Sequence, residues 1–231
     1  MDIREGKPFV RPKHATRLAS PDKPPVQHAS TGHAPSPEKK ASVGLLRKFF
    51  HREHPPRLID CYHCDHRFGA VADAQSSQCP KCGGYISLRD YEIDHAWRRR
   101  IQTRGNVKIL KEGSIIGVTV QCHDLTVLGT LNAPVDCSGV LCIRSHGKIV
   151  GNVTCGELRV ERGAKVEFQG DVRAQNAYID GNVKVQLTCT GTITLEKKAH
   201  LQGLARAGNL VVKSGAKHTG SMDVVNPEAA G

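Results

Sequence analysis

The sequence predicts an all-β chain: a β-solenoid of about seven coils, preceded by a small four-cysteine unit and a disordered basic tail. Three observations carry that reading. Apolar residues return at a period of about 17 across residues 104–225, two Cys-x-x-Cys pairs stand just upstream, and the first 43 residues show no hydrophobic period.

The tail comes first in the chain. With 231 residues and a formal net charge of +11 the chain has room for one or two domains. Residues 1–57 hold 12 Lys/Arg against 5 Asp/Glu, residues 58–100 balance 6 against 6, and residues 101–231 hold 15 against 11. The basic excess is mostly a property of the tail, and such a tail suits an acidic polymer or an anionic membrane. Residues 1–43, rich in Pro, Lys, His, Ser and Ala, bury too little apolar surface to offset their ordering entropy. The stretch GLLRKFFHR, residues 44–52, departs from this pattern. Leu45 with Phe49 and Leu46 with Phe50 are i,i+4 pairs interleaved with Arg47, Lys48 and Arg52. A helix here carries an apolar stripe flanked by positive charge, the pattern of a surface-lying membrane anchor or a protein-docking motif. No segment approaches 18 consecutive apolar residues, and the N-terminus shows no apolar core followed by a small-residue cleavage site. Nine cysteines, an odd number with four in metal-type pairs, point to a reducing compartment, so a cytoplasmic location is expected.

Residues 58–93 contain CYHC and CPKCGG. Cys61 and Cys64, and Cys79 and Cys82, are each separated by two residues, with fourteen between the pairs. Four thiolates at this spacing close a tetrahedral zinc site, each Cys-x-x-Cys turn offering two sulfurs from one knuckle. The flanking runs RFGAV and YISL are strand candidates, and a unit this small needs a metal to fold. The combination resembles a zinc ribbon binding one structural ion. His63 and His66 lie too close to the first knuckle to displace a complete four-cysteine set and are expected to be exposed. Balanced charge gives the ribbon no basic groove, so docking to a protein is favoured over nucleic acid; Trp97 and Arg98, Arg99 and Arg100 form a small patch at the junction. Residues 94–103 read as a linker.

From Val107 the chain repeats. Apolar-x-apolar pairs recur at Val107/Ile109, Leu125/Val127, Leu141/Ile143, Leu158/Val160, Ala177/Ile179, Ile193/Leu195 and Leu210/Val212. A second column holds Ile116, Leu131, Ile149, Phe168, Val183, Leu201 and His218; four residues later stand Val120, Val135, Val153, Val172, Leu187, Ala205 and Met222. Two beyond those come Cys122, Cys137, Cys155, Ala174, Cys189, Ala207 and Val224. Of these 35 positions only His218 is polar. Spacings of two put both side chains on one face of a strand, and the short polar corners leave no room for helices. One coil cannot bury its own apolar face, so successive coils stack, each rising by ~4.8 Å, into a rod of roughly 33 Å. The cysteine-containing column reads as a ladder of small side chains packing as hydrophobes, with Cys142 alone pointing outward.

Repeated units such as GKIVGNV, GAKVEFQGDV and IDGNVKV make residues 104–225 resemble the bactofilins, bacterial polymer-forming cytoskeletal proteins. The resemblance implies a right-handed, triangular parallel β-helix flanked by disordered tails, here 1–57 and 226–231. It also implies nucleotide-free, end-to-end self-assembly into filaments that lie on the inner face of the cytoplasmic membrane and organise cell shape or envelope enzymes. The zinc ribbon departs from that family pattern, and so does His218 near the terminal coil. Solenoids that stay monomeric cap their ends, and no helical cap follows Val225, so the ends are expected to stick. Trp97 and Ile101 at one end and His218 and Met222 at the other are the candidate contacts. Catalysis is not expected: the steps within a coil are unequal, unlike the hexapeptide acyltransferases. His123 and His146 fall in corners, and no phosphate loop, Ser/His/Asp set or carboxylate pair stands out. The alternative function is a nucleic-acid adaptor using the ribbon and the tail.

Overall fold

The computed structural model describes residues 57–225. Every element in it is a β-strand. The ribbon is two antiparallel hairpins, Arg57–Asp60 with Arg67–Ala70 and Ser76–Gln78 with Tyr85–Ser87, closed over Ile59, Ala70, Ile86 and Leu88.

The rest is a solenoid of eight coils with three faces, all strands parallel to their neighbours in the next coil. One coil more is present than the sequence reading expects. Tyr91–Ile93 pairs with Val107–Ile109, Ala96–Trp97 with Ser114–Ile116, and Ile101–Gln102 with Val120–Cys122. Residues 91–93, assigned to the ribbon, and 94–103, assigned to a linker, therefore make the first coil. Tyr91 stands 16 residues before Val107, within the repeat, but Tyr91 and Ala96 blur the apolar columns.

Two further corrections concern register. The second column begins with Ile115, not Ile116: Ile115 is buried and pairs with Leu131, while Ile116 is 56 % exposed. Gly117, at φ +72°, accommodates the extra residue before Val120 in a backbone conformation that side chains rarely tolerate. The column also breaks at Phe168, which stacks on Ile149, whereas Val183 stacks on Val166. The register shifts between Glu167 and Asp171, and Gly170 passes so close to the Gly151 carbonyl that a Cβ would sit 2.4 Å from it.

The stretch between each apolar pair and the next column varies in length, and its corners show why. Four corners are i→i+3 turns ending in a small buried or half-buried residue, as Ala164 N donates to Glu161 O, Ala199 to Glu196, Ala216 to Lys213 and Gly113 to Leu110. Another corner is held by side-chain amides and carboxylates that bridge coils. Asp90 Oδ1 accepts from Asn106 N at 2.6 Å, Asp124 from Val140 N at 2.7 Å and Asn176 from Thr192 N at 3.0 Å, each 16 residues on. These bonds satisfy backbone donors where the strands bend away from the ladder.

Inside the solenoid the columns form one continuous core. The cysteine column holds: Cys122, Cys137, Cys155, Ala174, Cys189 and Ala207 are all buried, and Cys142 is half-exposed between two core positions. Thr103 is the single buried polar residue among those described; its hydroxyl donates to Arg89 O at 2.7 Å and accepts from Gly105 N at 2.9 Å.

Candidate metal centre and molecular ends

The ribbon brings Cys61, Cys64, Cys79 and Cys82 together, their sulfurs all within 4.8 Å of one another. Cys61 Sγ lies 3.6 Å from Cys82 Sγ, and Cys64 Sγ 3.6 Å from Cys79 Sγ. A tetrahedral ion with metal–sulfur bonds near 2.3 Å holds its sulfurs about 3.8 Å apart, so the four residues fit such an ion. Local backbone builds each knuckle. Cys61 N donates to His66 O and Asp65 turns the chain at φ 53°, while Gly83 N donates to Cys79 O with Gly83 at φ 70°. Amides also point at sulfur, as His63 N does to Cys61 Sγ at 3.3 Å.

These donors act on the thiols. The His63 amide, working against burial, holds Cys61 below its usual range. At Cys79 burial opposes ionisation, but the Cys82 and Lys81 amides prevail and bring the thiol to about 7. At Cys64 the His66 amide is outweighed by burial and the neighbouring sulfurs, and the thiol rises to about 12. Four clustered sulfurs resist sharing several negative charges, the condition a divalent cation relieves. His63 is exposed; His66 is half-buried, stacked on Phe68 at 6.2 Å; neither joins the sulfur cluster.

The ribbon is docked on the early coils through Arg104. Its Nε donates to Asp60 O at 2.7 Å, its guanidinium lies 4.6 Å over the Tyr62 ring, its amide donates to Ser87 O, and its carbonyl accepts from the Arg57 guanidinium. No residue type in the sequence announces this joint; an arginine in a corner reads as solvated.

The two ends of the solenoid differ. At the N-terminal end Ile93 and Ile101 are sealed, Ile101 being 1 % exposed, and Tyr91 and Trp97 meet edge-to-face at 5.9 Å. Ile101, expected at an interface, is thus core and offers nothing to a neighbouring molecule; Trp97 is half-buried, its Nε1 donating to Arg99 O. At the C-terminal end His218 stacks on Leu201 and Met222 on Ala205, as the columns require. Among the described residues no further coil lies beyond them. Leu210 and Met222 are only half-buried, Val212 is 52 % and Val224 58 % exposed, and His218 Nε2 is buried with no partner among the described residues.

A sequence model of the bactofilin family, described as polymer-forming cytoskeletal, matches residues 81–169 and 165–223. The chain belongs to the bactofilin family. No curated protein and no solved structure matches. Bactofilins are structural proteins rather than enzymes, and the corner residue His123 of this bactofilin has structural surroundings. His123 Nδ1 lies 2.9 Å from Ser138 Oγ, in a crevice shared with the ribbon's Leu58, Asp60 and Arg67. The match begins at Lys81, inside the second knuckle, so it includes the first coil that the repeat alone left out. Among the described residues no helix is long and apolar enough to cross a membrane. Leu45, Leu46, Phe49 and Phe50 lie outside the described residues.

Proposed function

We propose that this bactofilin is a cytoskeletal scaffold whose solenoids join end to end, without nucleotide, into filaments. The observation that supports this best is the open C-terminal coil. Leu210, Val212, Met222 and Val224 leave the core cross-section in water, and the outer edges of Asn209–Val212 and Lys217–Val224 have no pairing strand among the described residues. A second coil laid on this end pairs the edge and removes apolar area, the gain that drives stacking within the molecule. His218 and Met222 sit in that cross-section at one end, and Trp97 flanks the other. The resemblance to other bactofilins favours a nonpolar filament, in which like ends meet.

The four thiolates hold one structural zinc ion, and the ribbon with the basic tail recruits protein clients. Leu45, Leu46, Phe49 and Phe50 hold the filament on an anionic inner-membrane surface, where it organises cell shape or the envelope.

Electron microscopy of purified protein in nucleotide-free buffer tests the assembly. Filaments are expected, and their loss in Val212→Asp, Val224→Asp; a wild-type protein that stays monomeric at every concentration overturns the reading. Co-sedimentation with anionic vesicles tests the tail separately. Phe49→Ser, Phe50→Ser is expected to remain in the supernatant, and unchanged pelleting removes the membrane role.

A further inference from the structure

One long edge of the solenoid is basic. It forms where the corner after the first face runs onto the second face in the last five coils, at residues 144–148, 161–167, 180–184, 196–202 and 213–219. These segments hold nine Lys/Arg against four Asp/Glu, while the rest of residues 101–231 holds six against seven. Most of the solenoid's net positive charge therefore lies along this edge. Each carboxylate on it is already engaged: Glu161 with Arg144, Asp180 with Arg162, Glu196 with Lys213, and Glu167 between Lys148 at 3.5 Å and Lys184 at 3.1 Å. Lys165, Lys197, Lys198 and Lys217 are exposed and have no carboxylate partner among the described residues.

Parallel pairing turns this composition into rows. His146, Lys165, Asn182, His200 and Lys217 stack in successive register, with Lys148, Glu167, Lys184 and Gln202 stacked beside them. A shallow groove of about 390 Å³ lies across these rows, rimmed by Lys148, Lys165, Lys184 and His200 over Val166 and Val183, with Glu167 between Lys148 and Lys184 and Lys165 free of any carboxylate among the described residues.

We propose that this groove receives an extended acidic segment of a partner protein. The charge of the edge selects an anion, and its straight run selects a chain over a compact ion. The protein's own basic tail is repelled, as is the same edge of a second copy. Asn182 and Gln202 each present an amide donor and acceptor, which suits a peptide backbone. The five segments contain no Phe, Tyr or Trp, so they offer no aromatic platform on which the bases of a nucleic acid would stack. The inference rests on the scaffold reading for its purpose, since it names the chemistry of one client.

The test uses the full chain and a short Glu-rich peptide containing valines. Fluorescence anisotropy reports binding, lysine acetylation read by mass spectrometry reports its place, and microscopy scores assembly in the same samples. Filaments without peptide binding therefore defeat this inference alone. Protection of Lys165, Lys184 and Lys217 is expected, with Lys108 on another face unprotected. Lys165→Glu, Lys217→Glu is expected to weaken binding about tenfold or more, equivalent to roughly 1.4 kcal/mol. Lys165→Gln, Lys217→Gln is expected to weaken it less, and Arg173→Glu on a third face not at all, with circular dichroism confirming the fold of each. Protection confined to the tail, or affinity unmoved by both lysine pairs, overturns the proposal. So does protection of these lysines by an oligonucleotide or anionic vesicles when the peptide gives none.

Discussion

Cys155 sits between Cys137 and Ala174 in a buried column of small side chains, and burial pushes its thiol up to about 12. It is neutral at pH 7 and works as a small hydrophobe. Cys155→Ala is expected to lower stability by about 1 kcal/mol or less and leave assembly intact. Cys155→Lys, which buries a charge with no partner, is expected to abolish folding. Thermal unfolding with microscopy separates the two. The same burial gives a pH dependence. A thiol near its usual 9.0 when unfolded and about 12 when folded adds stability that is complete below pH 9 and lost as pH rises from 9 towards 12. Cys189 behaves alike, also at about 12 through burial. Denaturation midpoints are therefore expected to fall above pH 9 with a slope of up to about 1.4 kcal/mol per pH unit per thiol. The double variant Cys155→Ala, Cys189→Ala is expected to flatten that slope. At neutral pH in native protein, Cys142 is expected to alkylate before any other solenoid thiol; modification of Cys155 first contradicts the packing role.

At the scale of elements, the ribbon and the first coil behave as one unit joined through Arg104. Cys61→Ser, Cys64→Ser is expected to lose its zinc by elemental analysis and to open residues 57–90 to protease while the β-signature of the solenoid persists. Unchanged metal content contradicts the four-sulfur site. Arg104→Ala removes one cation–π contact and one ordered hydrogen bond, a change of about 1–2 kcal/mol, and is expected to raise protease sensitivity without altering zinc content. The knuckles and the core columns were legible in the sequence because a two-residue spacing and a 17-residue period each translate directly into geometry. What stayed hidden depends on neighbours in the next coil. Ile115 and Ile116 are chemically alike, and only the turn at Gly117 decides which one enters the core. Phe168 and Val183 fit one column by spacing, yet the bulge after Glu167 places Val183 under Val166. Asp90, Asp124 and Asn176 each accept a backbone amide 16 residues on, a signal that polar corner residues conceal among ordinary turn formers. The Arg104 joint leaves no periodic trace at all.

For the whole molecule, the difference between its ends makes filament polarity measurable. The N-terminal cross-section is sealed around Ile93 and Ile101 under the Tyr91–Trp97 pair, and the C-terminal one exposes Val212 and Val224. In a filament of like-to-like contacts each end works independently, so blocking one type of contact leaves pairs joined through the other. In a head-to-tail filament every contact uses both ends, so blocking one end leaves monomers. Val212→Asp, Val224→Asp places carboxylates on the C-terminal face without touching the N-terminal one, since all eight coils separate them. Analytical ultracentrifugation of that variant is expected to show dimers joined at their N-terminal ends. Adding Trp97→Asp is expected to reduce these to monomers. A variant that runs as a monomer with Trp97 intact shows that unlike ends meet, and that the sealed N-terminal coil is the complement of the open one.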